Sequence, residues 1–555
     1  MKKIDVRYRR GLKKRDSFVS LKEFIDGDIC LDGRIAILYG LRRTGKTTLM
    51  EQAFNRDDSA FYLAEKGDTM KDVEDRIIDE MEKGNRVIFF DEITRISDIE
   101  NCSGLPDIYA KYGMRIILTG TDSLVFNEVE DRLFDRAVRI QTTYIPFTEH
   151  CRVLGTRDID DYISFGGLMR PGERIDRVVY DYESRMKYLD EAVSENIANS
   201  LKKDRSSNPL KKLSRNELTV IINKIVELHC GYISIETIRD RIYGTKMNHL
   251  IRDRLKDVEE MDVIRRYMPK RDRISSDFLK QINAGGEITS KIDDAMVRNL
   301  ERMLYEMNLL SVIPEKLFYK VDEAWLSSPE GYASYIIQPA IRYYQLTKAL
   351  EFIDTHPDMV QLSENTRDYL KRKLDEEIRG EMTEDIILYD TKKMLPSDRY
   401  LVLKPTFRID GISAGEYDML IYEKEMNRYW AFEIKHTSHP FIGCRDNVYI
   451  GQDKHLLNED FRSVIQNMYG TRMEDCVLYN GSSFESPLGT LYLNISDFMI
   501  MLENSPAVEI AFKYLKKGLQ KESFDMMHFE GDCEEIKASY EMNDAEAMAE
   551  EEFTN

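Results

Sequence analysis

The sequence predicts an α/β fold whose core is a parallel sheet with helices on both faces. Between residues 34 and 141, short runs of β-branched and aromatic residues alternate with segments whose apolar residues recur at helical spacing. Such alternation is typical of strands that pair in parallel through crossover helices. Three of the runs end at or next to Gly40, Asp91 and Thr119. Because ligands bind at the carboxyl ends of the strands in open sheets of this kind, we expect one ligand site along this edge.

Five strands are predicted in this region, after a leading segment (residues 1–33) that contains a short helix near residues 21–25. The strands are expected at residues 34–39, 60–64, 86–92, 114–120 and 137–141. The helices between them are expected at residues 48–54, 69–83, 105–112 and 122–136. The first strand and helix flank a glycine-rich segment, and the third strand ends in two acids.

The glycine-rich segment, residues 40–47, reads Gly-Leu-Arg-Arg-Thr-Gly-Lys-Thr and matches the pattern G-x-x-x-x-G-K-[ST] of a phosphate-binding loop. Glycines at 40 and 45 allow backbone angles closed to other residues, so the loop N–H groups and the helix N-terminus can converge on anionic oxygens. Lys46 is expected against the β- and γ-phosphates, and the Thr47 hydroxyl on Mg²⁺. A chance glycine-rich turn is the alternative, but strand, loop and helix arrive in the required order. The sequence therefore predicts that a nucleoside triphosphate binds to Gly40, Arg43, Thr44, Gly45, Lys46, Thr47, Thr48 and Thr119.

Asp91 and Glu92 close the third predicted strand, about 45 residues after the loop. An apolar strand that ends in adjacent acids is typical of sites that hold Mg²⁺ and water near a γ-phosphate. Asp91 is expected to bind the ion through water, and Glu92 to polarise the attacking water as general base. A strand followed by Asp-Glu is a weak signal alone, and its place behind a phosphate-binding loop gives it weight.

Two further positions are candidates for contact with the γ-phosphate. The polar end of the fourth strand, which holds Thr119, Thr121 and Asp122, is one candidate, and an ordinary turn is an equal alternative. Transition-state charge also calls for an arginine, often from a neighbouring subunit. The arginines that follow this strand are Arg132, Arg136 and Arg139. Arg136 is the favoured candidate, although surface ion pairs are the commoner role for each of them.

A family resemblance is carried by four segments: residues 40–47, 90–93 (Phe-Asp-Glu-Ile), 118–123 (Leu-Thr-Gly-Thr-Asp-Ser) and 144–149 (Tyr-Ile-Pro-Phe-Thr-Glu). They resemble the prokaryotic AAA-type ATPases that carry a C-terminal restriction-endonuclease-like domain. Residues 165–171 resemble the turn that closes the ATPase core of that family. The resemblance implies an AAA fold with a small helical lid, ATP as ligand and a homo-oligomer. It assigns catalytic roles only to Lys46, Thr47, Asp91 and Glu92.

The chain is expected to contain five regions. The AAA-type P-loop core is predicted at residues 1–170, a helical lid at 171–205 and a winged-helix-like region at 206–350. A restriction-endonuclease-like α/β domain is predicted at 351–520, followed by an acidic, disordered tail at 521–555. The tail holds twelve carboxylates and two lysines and few branched apolar residues.

The winged-helix expectation rests on three short helices and a basic strand between residues 216 and 267. A second helix-then-strand pattern follows at residues 298–319. Such units bind DNA through a recognition helix, but they serve equally often as protein–protein modules. Basic clusters at residues 202–215 and 246–273 are more often solvated faces, but the charge on 246–273 favours nucleic acid slightly.

A second set of charged residues lies in the C-terminal half, where a helix is expected at residues 379–388 and strands at residues 400–403, 416–422 and 429–436. Asp418, followed by Glu433 and Lys435 on the next predicted strand, matches the D…E-x-K core of the restriction-endonuclease-like nucleases. In a strand, residues i and i+2 face the same side, so Glu433 and Lys435 point together, and a hairpin brings Asp418 alongside. With Glu384 on a preceding helix, these carboxylates would bind Mg²⁺, and Lys435 would orient or deprotonate water for attack on a phosphodiester. A charged face of an antiparallel sheet is the alternative, and Tyr417 stands where the pattern usually has a proline.

Composition sets the remaining limits. The net charge of −20 argues against wholesale coating of nucleic acid. Seven scattered cysteines without a C-x-x-C pair suggest neither a zinc knuckle nor a disulfide framework, and they fit a reducing cytoplasm. The sequence contains no apolar run of membrane-spanning length and no apolar signal core at its start, so we expect no membrane partner.

These observations predict an AAA-type ATPase that couples Mg²⁺-dependent ATP hydrolysis to a nuclease-like domain acting on DNA or another nucleic acid. Two alternatives remain open. One is a nucleotide-gated regulatory protein whose C-terminal domain only binds a partner. The other is an ATP-gated protein–protein scaffold with an inert nuclease-like domain.

Overall fold

The computed structural model describes residues 1–6, 13–27 and 34–169 with gaps at 97, 111–112, 121–132, 134–135 and 165. It also describes short stretches between 193 and 225, and residues 292–519 with gaps, the largest at 337–349. The chain divides into two compact units. The first unit comprises Met1–Val226, Ile274–Ser311 and Ile336–Tyr344, and the second comprises Glu227–Arg273, Val312–Tyr335 and Gln345–Asn555.

The described part of the first unit is built on a six-stranded sheet with the order β1-β3-β4-β5-β2-β6. The strands are β1 (Lys2–Lys3), β2 (Ile35–Tyr39), β3 (Ser59–Leu63), β4 (Val87–Asp91), β5 (Arg115–Gly120) and β6 (Ala137–Gln141). Strands β2 to β6 are all parallel, and the edge strand β1 pairs antiparallel with β3. The predicted parallel sheet is therefore confirmed, and β5 lies between the strands that carry the loop and the two acids.

Helices cover both faces of this sheet. They are α1 (Ser17–Asp26), α2 (Lys46–Ala53), α3 (Met70–Glu82), α4 (Leu105–Ile108), α5 (Phe147–Leu154) and α6 (Ile159–Ser164). Alternate residues of each strand pack to opposite sides: Ile37 and Phe90 lie with α3 and α4, and Leu38 and Phe89 with α1 and α2. Because both faces are buried, the strands read as continuous apolar runs. Each such buried side chain contributes about 1.5–3 kcal/mol.

The second unit contains a larger sheet with the order β17-β18-β16-β13-β12-β10-β7-β8, in which β11 also pairs with β10 and β9 with β7. The strands are β7 (Leu310–Val321), β8 (Ala324–Ser327), β9 (Gly331–Ile336), β10 (Tyr400–Ile409), β11 (Ile412–Glu416), β12 (Met419–Glu423), β13 (Arg428–Ile434), β16 (Thr471–Tyr479), β17 (Phe484–Glu485) and β18 (Leu491–Asn494), with β14 (Ile442–Arg445) and β15 (Val448–Gly451) as a separate hairpin. Strands β10, β12 and β13 form an antiparallel meander, and β16 pairs parallel with β13. Strand β10 also pairs parallel with β7, and β18 with β16, so the sheet mixes antiparallel hairpins with parallel pairs.

The helices that follow α6 in the described residues are α7 (Asp294–Glu306), α8 (Pro357–Val360), α9 (Glu364–Met394), α10 (Glu459–Tyr469), α11 (Ile495–Glu503) and α12 (Val508–Gly518). Helix α9 has 31 residues and precedes β10, and α10 forms the crossover between β13 and β16. The predicted helix at residues 379–388 is therefore only the later part of a much longer one. Of the helices that the structure describes, none is long and apolar enough to cross a membrane.

The predicted strand at residues 416–422 is wrong in one respect. The structure ends β11 at Glu416 and begins β12 at Met419, so Asp418 lies in the break between them. The reason is a change of pairing along β10: β12 pairs with its first residues, 400–403, and β11 with its last residues, 406–409. Lys435 likewise lies one residue beyond the end of β13.

Most of the predicted helical lid, most of the winged-helix-like region and the acidic tail lie outside the described residues. Thr121, Asp122 and Arg132 lie outside them as well. Within the described part, α7 and β7 correspond to the second helix-then-strand pattern predicted at residues 298–319.

Candidate functional site

The phosphate-binding loop begins where β2 ends and is closely packed from behind. Gly40 has φ +146°, and a Cβ atom there would lie 2.6 Å from Thr142 Oγ1 and 2.8 Å from the Thr143 backbone N. Gly45 has φ +82° at the N-cap of α2. Both positions therefore require glycine, Gly40 for its close approach and Gly45 for its left-handed backbone.

Lys46 is the first residue of α2, and its side chain lies inside the loop. Its Nζ donates to the carbonyl oxygens of Gly40 (2.8 Å) and Leu41 (2.7 Å). Among the described residues, no carboxylate lies within salt-bridge distance of this ammonium. Burial lowers the pKa of Lys46 to about 8, and the charges of Glu92 and Asp91 act against this shift. The loop therefore holds a cation whose charge is not cancelled by a direct ion pair.

The Thr47 hydroxyl donates to Asp91 Oδ2 at 2.7 Å, so the loop and the end of β4 meet at this edge of the sheet. Asp91 is buried, and burial raises its pKa while the hydrogen bond from Thr47 lowers it. A hydroxyl and a carboxylate oxygen at hydrogen-bond distance are a donor set that suits Mg²⁺. These two side chains therefore fit the ion that the sequence predicts.

Glu92 follows Asp91 with a left-handed backbone, φ 56° and ψ 34°. Its backbone N donates to Asp91 Oδ1 at 2.9 Å, and its carboxylate lies 3.7 Å from Arg95. A non-glycine residue in this conformation costs about 1–3 kcal/mol and is found preferentially at functional sites. This conformation turns the chain directly after β4.

Thr119 lies near the end of β5, between the strands of the loop and of Asp91. It is completely buried, and within the part of the chain that the structure describes its hydroxyl has no hydrogen-bond partner. An orphaned buried hydroxyl is costly unless a ligand or water satisfies it. Of the two readings of Thr119, this observation favours contact with a phosphate or its attacking water over an ordinary turn.

The remaining loop candidates have different surroundings. Arg43 has a left-handed backbone (φ 68°), and its carbonyl accepts the Met169 N–H at 3.0 Å, which joins Met169 to the loop. The Thr44 hydroxyl donates to the Leu41 carbonyl at 2.9 Å and lies 2.8 Å from Thr142 Oγ1. Thr48 is half-buried in the first turn of α2. Thr44 thus braces the loop from behind.

Thr142 and Thr143 are residues of this site that sequence reasoning missed. Both are fully buried, Thr142 Oγ1 also contacts the Tyr39 carbonyl at 3.0 Å, and the Leu41 backbone N donates to Thr143 Oγ1 at 3.4 Å. They follow β6, which pairs with β2, so they meet the loop only after the sheet has formed. A polar pair directly after an apolar strand was the one available signal.

Arg136 lies at the amino-terminal ends of the strands, whereas the loop lies at their carboxyl ends. Its carbonyl accepts the N–H of Ile35, at the amino end of β2, and its guanidinium pairs with Asp107 on the surface. The length of β2 separates this position from the loop by about 17 Å at ~3.3 Å per residue. Arg136 therefore does not belong to the site of its own chain.

Residues 32–151 match the family model described as an AAA domain. The chain carries an AAA-type ATPase domain. Among solved structures, it is similar to the Walker-type ATPase paby2304 of Pyrococcus abyssi, at 14% identity and a TM-score of 0.32 over 61% of this chain and 99% of that one. It is also similar to PCH-2 of C. elegans, at 14% identity and a TM-score of 0.21 over 35% of this chain and 61% of that one. No curated protein matches the chain.

Outside the AAA domain, the structure brings the acids of the second unit together. Oxygen atoms of Glu384 on α9, Glu416 at the end of β11 and Asp418 all lie within 4.8 Å of one another. This is the group of three acids that could hold a divalent cation. Glu384 and Asp418 were predicted as ligands, and Glu416 was missed. The period-2 rule that joined Glu433 to Lys435 would have found it, because Glu416 is two residues before Asp418.

Glu433 and Lys435 lie next to this group. Lys435 Nζ is 3.2 Å from Asp418 Oδ2 and 2.9 Å from Glu433 Oε2. Asp418 Oδ2 also accepts the Ile434 N–H at 2.7 Å, which ties the break between β11 and β12 to the end of β13. Glu433 thus contacts the lysine and is not part of the three-acid group.

A second lysine, Lys404 on β10, lies 3.6 Å from Glu384 and 2.9 Å from Glu416. Burial raises the pKa of Glu384 and of Glu433 well above the ordinary range, and the charge of Asp418 adds to both shifts. Burial also disfavours ionised Asp418, but Lys435 and Lys404 outweigh it and lower its pKa. The pKa of Lys435 is raised because Asp418 and Glu433 outweigh its burial. The cluster therefore holds one firmly ionised acid between two lysines.

Proposed function

We propose that the chain is a Mg²⁺-dependent ATPase whose site lies at the carboxyl edge of the sheet in the AAA domain. The observation that carries this proposal is the 2.7 Å hydrogen bond between Thr47 and Asp91, because it joins the loop to the acidic strand at one point. These two residues would hold the ion, which would neutralise charge on the β- and γ-phosphates. The family match over residues 32–151 supports nucleotide binding independently.

The side chains around this point supply the remaining roles. Lys46 would contact the β- and γ-phosphates, since its ammonium has only carbonyl partners among the described residues. Glu92 would orient the attacking water and accept its proton. The orphaned Thr119 hydroxyl would donate to a γ-phosphate oxygen or to that water.

Arg136 would act only on the site of a neighbouring molecule. It is 43% exposed and far from its own loop, so it fits the arginine that another subunit supplies to the transition state. A homo-oligomer is therefore part of the proposal.

ATP turnover by the wild type and by Lys46→Ala tests this function. The wild type should release phosphate only with Mg²⁺, and Lys46→Ala should lose at least about a hundredfold in kcat/KM, the size of effect that one charge-stabilising group supplies. Lys22→Ala, which removes an exposed lysine of α1, is the matched control and should turn over like the wild type. Equal turnover by the wild type and Lys46→Ala would contradict the assignment.

We further propose that the second unit is a nuclease-like domain that acts on nucleic acid. Three observations support it: acids from α9, β11 and the β11–β12 break meet, Lys435 touches two acids, and an antiparallel meander with a parallel fourth strand supports them. Glu384, Glu416 and Asp418 would bind a divalent cation, and Lys435 would orient water for attack on a phosphodiester.

Cleavage is tested with supercoiled plasmid, ATP and Mg²⁺ or Mn²⁺. The wild type should nick or linearise the DNA, and Asp418→Ala should leave it intact. Phosphate release measured in the same tubes, with and without DNA, shows whether DNA changes ATP turnover. Intact plasmid with both proteins would remove cleavage from the proposal and leave the ATPase standing.

A second candidate is a nucleotide-gated binding domain that does not cut. It is favoured by Lys404 and Lys435, each of which lies within salt-bridge distance of two acids and so neutralises the cluster internally. This candidate predicts ATP-dependent DNA binding that weakens with salt but leaves the strands whole. Absence of salt-sensitive DNA binding would favour a protein–protein scaffold instead.

A further inference from the structure

Arg15 is a buried side chain behind the phosphate-binding loop that no sequence pattern marks. It is 6% exposed and precedes α1 by two residues. Its aliphatic part packs on the loop, because a Cβ atom at Gly45 would lie 3.5 Å from Arg15 Cδ. Arg15 thus contacts the loop from the side of β6, whereas β5 and β4 lie on the other side of β2.

All five N–H donors of the Arg15 guanidinium have acceptors. Nε and Nη2 contact the Glu149 carboxylate at 2.7 and 3.4 Å. Nη1 donates to the carbonyls of Thr44 and Thr142, the latter at 3.0 Å, and Nη2 donates to the Tyr144 carbonyl at 3.3 Å. One side chain therefore joins the loop, the segment after β6 and α5.

The contact with Thr44 bears directly on phosphate binding. A phosphate-binding loop presents its N–H groups to the ligand, so its carbonyl oxygens must find partners elsewhere. Arg15 supplies that partner at Thr44, two residues before Lys46, from a fork whose geometry is fixed. Glu149 is 2% exposed and also accepts the Asp16 backbone N–H at 3.0 Å, so the fork itself cannot turn easily.

We propose that Arg15, held by Glu149, is a positioning residue that keeps the loop in its nucleotide-binding conformation and couples the segment before α1 to the nucleotide. The inference rests on the proposed ATP binding. Coupling between two sites is reciprocal. If Arg15 strengthens ATP binding, ATP must strengthen the contacts of Arg15 by the same factor.

The test compares Arg15→Lys, which keeps the charge but loses the fork, with Arg152→Gln as matched control. Arg152 belongs to the same contact region but forms a surface ion pair with Asp16. Calorimetry with ATP and Mg²⁺ should show a Kd about tenfold higher for Arg15→Lys, the size expected for one lost hydrogen bond to a charged group. KM should rise in parallel and kcat at saturating ATP should stay unchanged, because Arg15 does not touch the reacting atoms. Arg152→Gln should match the wild type.

Hydrogen exchange provides the reciprocal measurement. In the wild type, ATP should slow exchange of the Asp16 amide, and this protection should be lost in Arg15→Lys. A role confined to folding would lower the melting temperature without moving either the Kd or this protection.

A double variant, Arg15→Met with Glu149→Leu, covers the case in which Arg15→Lys does not fold. Replacing both members of a buried ion pair by apolar residues preserves folding far better than removing one. It should bind ATP as weakly as Arg15→Lys. Wild-type affinity in either folded variant would overturn the role of Arg15 while leaving the ATPase intact, whereas a wild type that does not bind ATP would overturn both.

Discussion

The lysines of the two charged clusters differ in their partners: one lysine contacts carbonyl oxygens, and the others contact carboxylates. In the AAA domain, Lys46 donates only to the carbonyls of Gly40 and Leu41 within the described residues. In the second unit, Lys435 contacts Asp418 and Glu433, and Lys404 contacts two other acids. The first cluster therefore offers positive charge to an anionic ligand. The second must rearrange its internal ion pairs, or release protons, before a cation can bind.

Among the variants that test the difference between the two clusters, Glu92→Gln is expected to have the largest effect on ATP turnover. The exchange keeps the shape of the side chain but removes its basicity, so kcat for ATP should fall by about 10²- to 10⁴-fold while ATP affinity is retained. Phosphate release and calorimetry measure the two quantities. Glu82→Gln, at the exposed end of α3, is the control. Loss of affinity with unchanged kcat would remove Glu92 from the chemistry.

The second unit should bind divalent cations with a strong dependence on pH. Because the pKa of Glu384 is raised, a metal that binds to this carboxylate must compete with a proton up to a higher pH than at an ordinary glutamate. Mn²⁺ affinity should increase by up to about tenfold per pH unit for each proton released. Mn²⁺ titration followed by electron paramagnetic resonance checks this.

Asp418→Asn should abolish that binding, because it removes the one acid whose pKa is lowered. Asp460→Asn, which changes an exposed acid of the same unit, should leave it unchanged. Mn²⁺ affinity that does not vary with pH would contradict the account of the cluster.

The smallest effect concerns protons at Lys46. Its pKa of about 8 lies below the model-compound value of 10.5, so the charged form costs stability that is recovered as pH rises from about 8 to 10.5. The negative charge of bound phosphates should raise the pKa of Lys46 and so favour its protonated form. ATP binding should therefore take up about half a proton at pH 8 through Lys46 and about a tenth at pH 7.

Calorimetry in buffers of different ionisation enthalpy measures this uptake. Subtracting the data for Lys46→Arg, which stays charged throughout this range, isolates the share of Lys46. The same uptake in both proteins would show that Lys46 is not the group that titrates.

The AAA domain was largely predictable because its signals are local. The loop, its strand and its helix occupy one stretch of the chain, and the backbone path itself requires glycine at 40 and 45. The contacts that support the loop from the side of β6 were not predictable. These contacts, made by Arg15, Thr142 and Glu149, form only when β6 pairs with β2 and α5 packs beside it. The residue types alone do not predict them.

The second unit shows the opposite limit. Its charged residues come from a helix, a strand end and a break between strands. The sequence pattern predicted Glu384, Asp418, Glu433 and Lys435, but it did not predict Glu416 or Lys404. Glu416 was missed because the period-2 rule was applied to Glu433 and Lys435 but not to Asp418. Lys404 was missed because its strand was predicted only as far as residue 403. The charge balance of the cluster depends on both.

The most direct test is calorimetry of ATP with Mg²⁺ on the full chain and on Lys46→Ala. The account predicts a saturable heat for the wild type that disappears in Lys46→Ala, while Lys22→Ala binds normally. If the wild type gives no heat, or if Lys46→Ala binds ATP as tightly as the wild type, the loop at residues 40–47 is not the nucleotide site.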